Sequence, residues 1–126
     1  MNDRKKERPI LPTEILTGIV TPEEDFQNKV LRPIIKMQSD LLISHLQNKL
    51  QTNKIDFTSL SPAKKEIVLN GIFANDQAFK KEIIGMVIGH FTLEEYEAYI
   101  GFNKEINRRI TQIVVNRCLD LLIKEK

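Results

Sequence analysis

The chain has 126 residues, 41% of them apolar and 29% charged, and its 19 Lys and Arg against 17 Asp and Glu leave a net charge of +2. That composition is globular rather than disordered, and the near-balanced charge by itself implies no nucleic-acid surface. A single cysteine excludes an internal disulfide, and no apolar run reaches the roughly 18 residues of a membrane span.

Residues 1–20 read as an extended or disordered tail, because Pro9, Pro12 and Gly18 interrupt any helical period. Ile15, Leu16, Ile19 and Val20 would rest on the body. The cluster Arg4, Lys5, Lys6 and Arg8 reads as a solvated end, with a phosphate-binding arm as the alternative. Its apolar stretches are too broken for a signal-peptide core, so a cytoplasmic location is expected. Residues 21–126 read as a single helical domain.

Thr21-Pro22-Glu23-Glu24 opens the first helix: threonine at the N-cap, proline at N1 and glutamate at N3 make a capping box. Its period continues to Thr52, and Pro33 predicts a kink between Lys29 and Pro33, since an interior proline removes a hydrogen bond and clashes with the preceding turn; the alternative is a short helix that stops before a second begins at Pro33. Ser61-Pro62 starts a second helix running to about Phe73. Asn75 or Asp76 caps a third, from Gln77 to about Phe91. Thr92-Leu93-Glu94-Glu95 is another capping box, opening a fourth helix that runs to Ile123. No stretch alternates as a strand would. The expected fold is all-α, a four-helix bundle with two long terminal helices and two shorter middle ones. A terminal helix of about 30 residues is about 45 Å long, whereas a globule of this length is only about 36 Å across. The long helices must therefore bend, pair as an elongated unit or reach a partner chain.

Polar side chains sit inside the apolar arcs of both long helices. The first arc (Phe26, Val30, Leu31, Ile34, Ile35, Met37, Leu41, Leu42, Leu46) contains Gln27, Gln38 and His45, and the last (Tyr96, Tyr99, Ile100, Ile106, Ile110, Ile113, Val114, Cys118, Leu121) contains Asn103, Asn107 and Arg117. Buried amides are costly unless paired, so these six predict either a hydrogen-bonded layer that fixes helix register or the lining of a ligand site. Asp40 and Arg109 are placed for an ion pair between the long helices, with simple solvation as the alternative. Gly85 and Gly89, continued by Ala78, form a small-residue strip, expected to let another helix approach closely. His45 and His90 are the only histidines and lack ligand spacing, so no metal and no cofactor are expected. Cys118 reads as a buried hydrophobe. Lys64, Lys65, Lys80 and Lys81 would carry a nucleic-acid reading, which lacks a helix-turn-helix glycine and interleaved aromatics.

The strings Phe26-Gln27-Asn28, Leu31-Arg32-Pro33-Ile34 and Gln38-x-Asp40-Leu41-Leu42 resemble a family of small all-helical bacterial proteins often labelled "glyoxalase". The likeness continues through Gly85, Gly89 and Phe91-Thr92-x-Glu94-Glu95-Tyr96 to Asn107-Arg108, covering about residues 22 to 120. It marks Gln27, Arg32, Gln38, Asp40, Asn107 and Arg108 as positions of interest. The label implies a β-rich fold carrying His and Glu, or His-x-His-x-Asp-His, metal ligands, and this sequence has neither. The residues read instead as a non-enzymatic interaction or scaffolding module that self-associates. The alternative is a small-ligand binder or enzyme using an amide-lined interior. A protein partner or a second copy is expected, a membrane is not, and nucleic acid is disfavoured.

Overall fold

The computed structural model describes the chain from residue 20 to residue 124, so the tail expected over 1–20 lies, up to residue 19, outside the described residues. Helix α1 (Pro22–Phe26) opens on the expected capping box: Glu24 N–H donates to Thr21 Oγ1 at 3.1 Å, and Thr21 N–H donates to Glu24 Oε1 at 3.0 Å. A π-helical turn follows (Gln27–Leu31), in which Arg32 N–H reaches back five residues to the Gln27 carbonyl. Pro33 explains it. Its ring cannot donate and would strike the carbonyl one turn earlier, and a widened turn relieves the clash without ending the helix. The kink expected between Lys29 and Pro33 therefore takes the form of a π turn.

Helix α2 (Arg32–Met37) and helix α3 (Ser39–Thr52) join through Gln38, whose φ of −98° and ψ of 12° bend the axis without breaking it. The buried Ser39 hydroxyl donates to the Ile35 carbonyl at 2.9 Å, a back-bond of the kind that bends helices. Helix α3 ends with Lys54 in the left-handed region at φ 58°. Lys54 N–H donates to Gln51 O, and Ile55 N–H to Leu50 O. That is the paired closure of a Schellman ending, and it packs Ile55 back on the core.

Helix α4 (Pro62–Asn75) is capped by Ser61 and helix α5 (Gln77–Ile88) by Asp76, each accepting from a backbone N–H of the first turn. Lys49 reaches Asp76 at 2.6 Å, tying α3 to the start of α5, and holds the Asp76 carboxyl below its ordinary range. Helix α6 (Leu93–Ile100) carries the second capping box, in which the buried Glu95 accepts from Thr92 N–H at 2.8 Å. Helix α7 (Asn103–Leu119) runs into a terminal π turn (Asp120–Lys124). No strand occurs among the described residues, and none of their helices is long and apolar enough to cross a membrane. The fold is all-α.

The expected fourth helix is two. Gly101 and Phe102 separate α6 from α7, with Phe102 at φ −145° and ψ 39°. Glycine is a poor helix former, and the break lets Phe102 pack edge-on against Phe26 at 5.5 Å between ring centres. The apolar arc is thereby cut: Tyr99 stays buried, whereas Tyr96 and Ile100 face solvent.

Helix α7 touches the first π turn and α2 through α6. Its row Ile106, Ile110, Val114 and Cys118 is at most 1% exposed, and Leu31, Ile34, Leu46, Leu69 and Val87 close around it at 0%. The glycine strip is not a packing contact. Gly85 and Gly89 are exposed, as is Ala78, and a Cβ at Gly85 would meet nothing within 4 Å. At Gly89 the nearest atoms are carbonyls of its own helix, the closest at 3.4 Å. The apolar side of α5 runs instead through Phe79, Ile83 and Val87. Gly85→Ala should therefore stabilise the protein by about 0.5–1 kcal/mol, because alanine adds no clash and narrows the unfolded ensemble. A higher midpoint in chemical denaturation is expected; a lower one would mean that something packs on the strip.

Candidate functional site

Helix α7 has two faces. One is the buried row just described. The other repeats at intervals of four as Arg108, Gln112, Asn116 and, one position on, Arg109, Ile113, Arg117, spacings that stack side chains along one side of a helix. Opposite these rows stand Gln27 of the first π turn and Arg32 of α2. Together with Asp120 they enclose a cleft of about 420 Å³ containing four guanidinium groups.

These guanidiniums are held by named contacts. Glu105 accepts from Arg109 Nε at 2.6 Å and from Arg108 at 2.7 and 3.1 Å. Those arginines, Arg108 foremost, hold the Glu105 carboxyl down at about 2. Arg109 Nη1 also donates to Gln27 Oε1 at 3.0 Å, joining α7 to the π turn. Arg117 Nε donates to Ser39 Oγ at 3.0 Å, and because that hydroxyl donates onward to Ile35 O, the pair links α7 to the bend between α2 and α3. Arg32 Nε donates to Asn28 Oδ1 at 3.4 Å. Anion recognition suits this arrangement: guanidinium forks match carboxylate and phosphate oxygens, and anchored forks lose little freedom on binding.

The six polar residues of the long-helix arcs are not one layer. Gln27 and Arg117 join the cleft. Gln38 is half-buried at the helix bend, and Asn103 is exposed at the start of α7. Asn107 accepts from the Tyr99 hydroxyl at 2.7 Å across the α6–α7 corner and lines a separate cavity of about 350 Å³. His45 pairs through Nε2 with Glu82 at 2.8 Å and stacks on Phe79 at 5.2 Å, bridging α3 and α5. None of the six is fully buried, so there is no amide-lined interior. The reason lies in the phase. On α7 the buried row runs at Ile106, Ile110, Val114 and Cys118, and Asn103, Asn107 and Arg117 flank it on the same helix. The Asp40–Arg109 pair is also not formed: Asp40 is exposed, and Arg109 turns to Glu105 and Gln27 instead.

Sequence reasoning missed Ser39 and Glu82 as partners, since nothing local pairs residues 78 and 37 positions apart, and it missed Tyr99, eight residues from Asn107, because the two stand on different helices across the break at Gly101. The Arg-x₃-Gln-x₃-Asn row of α7 was visible in the sequence, but what faces it was not. Among the described residues, no group of three His, Cys, Asp or Glu could hold a metal ion. Burial pushes the Cys118 thiol up to about 12, leaving it un-ionised and a poor nucleophile. No family model, curated protein or solved structure matches the chain.

Tyr99→Phe and Asn107→Leu should each destabilise by about 1 kcal/mol and couple in a double-mutant cycle, because either change orphans the other's group. Gln38→Leu should add independently of Asn107→Leu; coupling between those two would restore the single-layer reading. Glu105 supplies a pH dependence. Its carboxyl ionises at about 2 in the fold against an ordinary 4.5, so the ionised form favours the folded state. That contribution is complete above about pH 4.5 and is lost as pH falls toward 2. Glu105→Gln should flatten this part of the melting-temperature profile.

Proposed function

We propose that this protein is a non-enzymatic, cytoplasmic interaction module that associates with a second copy of itself. In this reading the chain is a four-helix bundle in which α1 to α3 form one bent long helix and α6 with α7 the other, broken one. The observation that carries it is an apolar stripe on α6: Leu93 is 73% exposed, Tyr96 43% and Ile100 56%. They recur at i, i+3 and i+7, so they share one face of that helix, and the buried Tyr99 supplies its inward anchor. Three large apolar side chains on one helical face are the kind of surface that marks an interface, whereas Leu41 and Ile67, exposed singly on other helices, need no such account. The exposed Glu94 and Glu97 provide a polar rim. Nothing in this reading draws on the chemistry that the "glyoxalase" label implies. His45 stands on α3, engaged with Glu82, and His90 lies in the turn that follows α5.

A second reading, small-ligand binding, draws on the arginine-lined cleft and not on the bundle interior.

Mass-resolved chromatography and sedimentation of the wild type and of the double variant Leu93→Gln/Ile100→Gln test the first reading. The wild type should run as a dimer and the variant as a monomer with an unchanged helical spectrum. A monomeric wild type at high micromolar concentration, or a variant that still dimerises, would remove the α6 face as the interface.

A further inference from the structure

We propose that the cleft between the first π turn, α2 and α7 is a binding site for a small phosphorylated ligand. Four guanidiniums line it, against two nearby carboxylates, Glu105 and Asp120. On a chain whose total charge is only +2, that is a local concentration of positive charge confined to one concave place. Like charges repel most where water is partly excluded, so arginines gathered this way favour an anion between them.

The hydrogen bonds holding Arg32 and Arg117 end on neutral oxygens, Asn28 Oδ1 and Ser39 Oγ, and so do not themselves neutralise the two charges. Those bonds occupy a single Nε–H of each five-donor fork. They aim the guanidinium and spare its terminal N–H groups. Arg109 is only 20% exposed and is anchored twice, by Glu105 and Gln27, so it too is set in place before any ligand arrives. Gln112 and Asn116 add neutral amide donors on the same wall.

The chemistry of the ligand follows from number and size. One carboxylate engages one or two forks. A phosphate group carries three or more acceptor oxygens and close to two charges, and it can engage three. The volume of about 420 Å³ lies within the range of small-molecule sites, and a phosphate would fill only part of it. The apolar Ile113 on the same wall suits an organic body attached to the phosphate. A nucleic-acid backbone would need an extended basic track; this cleft is bounded by Asp120 at the end of α7.

The site is independent of the α6 stripe, so a protein shown to be monomeric could still bind, and a dimer could fail to. The test is isothermal titration of the full chain at low ionic strength with pyrophosphate, with a hexose monophosphate and citrate in parallel, and with a single-stranded oligonucleotide as the macromolecular arm. Pyrophosphate should bind saturably and be displaced by the sugar phosphate. Arg32→Gln, on an exposed side chain whose loss leaves the core untouched, should weaken binding about tenfold or more. Arg117→Lys keeps the charge, loses the fork and should weaken it similarly. Lys81→Gln, an exposed charge on α5 outside the cleft, should change it by no more than about twofold. No saturable binding of pyrophosphate would overturn the proposal. So would equal losses in Arg32→Gln and Lys81→Gln, citrate binding as tightly as pyrophosphate, or an oligonucleotide binding more tightly than either.

Discussion

Everything in this fold is arranged around one buried row. Ile106, Ile110, Val114 and Cys118 follow one another at steps of four along α7, and the first π turn and the helices from α2 to α6 all lie against that helix. Each side chain of the row is removed from water, which is worth about 1.5–3 kcal/mol for an aliphatic residue before the entropy of ordering is counted. A helix burying a face on many neighbours cannot tolerate a neighbour that is too long or too straight. The irregularities elsewhere are consequences of that. The first helical segment, which would span about 45 Å if straight, is turned by a π turn ahead of Pro33 and again at Gln38, and both Leu31 and Leu46 consequently reach the core at 0% exposure.

The break at Gly101 and Phe102 answers the same constraint from the other end. Phe26, Phe91, Tyr99 and Phe102 form an aromatic cluster with ring centres 5.5 to 5.6 Å apart in edge-on pairs. Rings so placed contribute beyond their buried area. Keeping α6 and α7 continuous would hold Phe102 in helical register, away from this cluster. Breaking the helix seats Phe102 and frees Leu93, Tyr96 and Ile100 to face outward on α6. The apolar stripe that carries the interaction reading is thus a product of how the core is satisfied.

Helix starts were the most legible part of the sequence, because a cap is a local chemical event. Thr21, Ser61, Asp76 and Thr92 each accept a first-turn N–H from within four residues; identity pointed to three of them and left Asn75 or Asp76 open for the other. The buried positions of α7 were legible for the same reason: a period of 3.6 is local. The kink was readable from Pro33, although its form, a π turn, depends on what the widened turn packs against. The polar candidates were legible as residues but not as a layer. Each flanks a buried row, and which neighbour it meets there, Arg109 for Gln27 and Tyr99 for Asn107, is set by tertiary packing. The glycine strip failed differently. Small residues four apart permit a close approach but do not require one, and on α5 the larger Phe79, Ile83 and Val87 claim the core instead. Arg32 and Arg108 were legible as positions of interest, without a role. That they share a cleft follows from tertiary contacts that no local pattern encodes.

The cleft and the core are joined through the same bonds. Arg109 to Gln27 pins α7 to the π turn, and Arg117 to Ser39 pins it to the bend before α3, so two of the four cleft arginines also hold the long segments in register. The Arg117 bond ends on a neutral hydroxyl, whereas Arg109 is also paired with Glu105. Without an anion these contacts work against mutual repulsion of the guanidiniums; with one, the repulsion becomes attraction and the same contacts tighten. In the proposed site, an anion that binds only the folded chain would raise the stability of the α2–α7 packing in proportion to the logarithm of its concentration over its dissociation constant. Surface arginines tethered only to their own helix would show no such linkage, because their loss would leave the packing of α7 against the first segment unchanged.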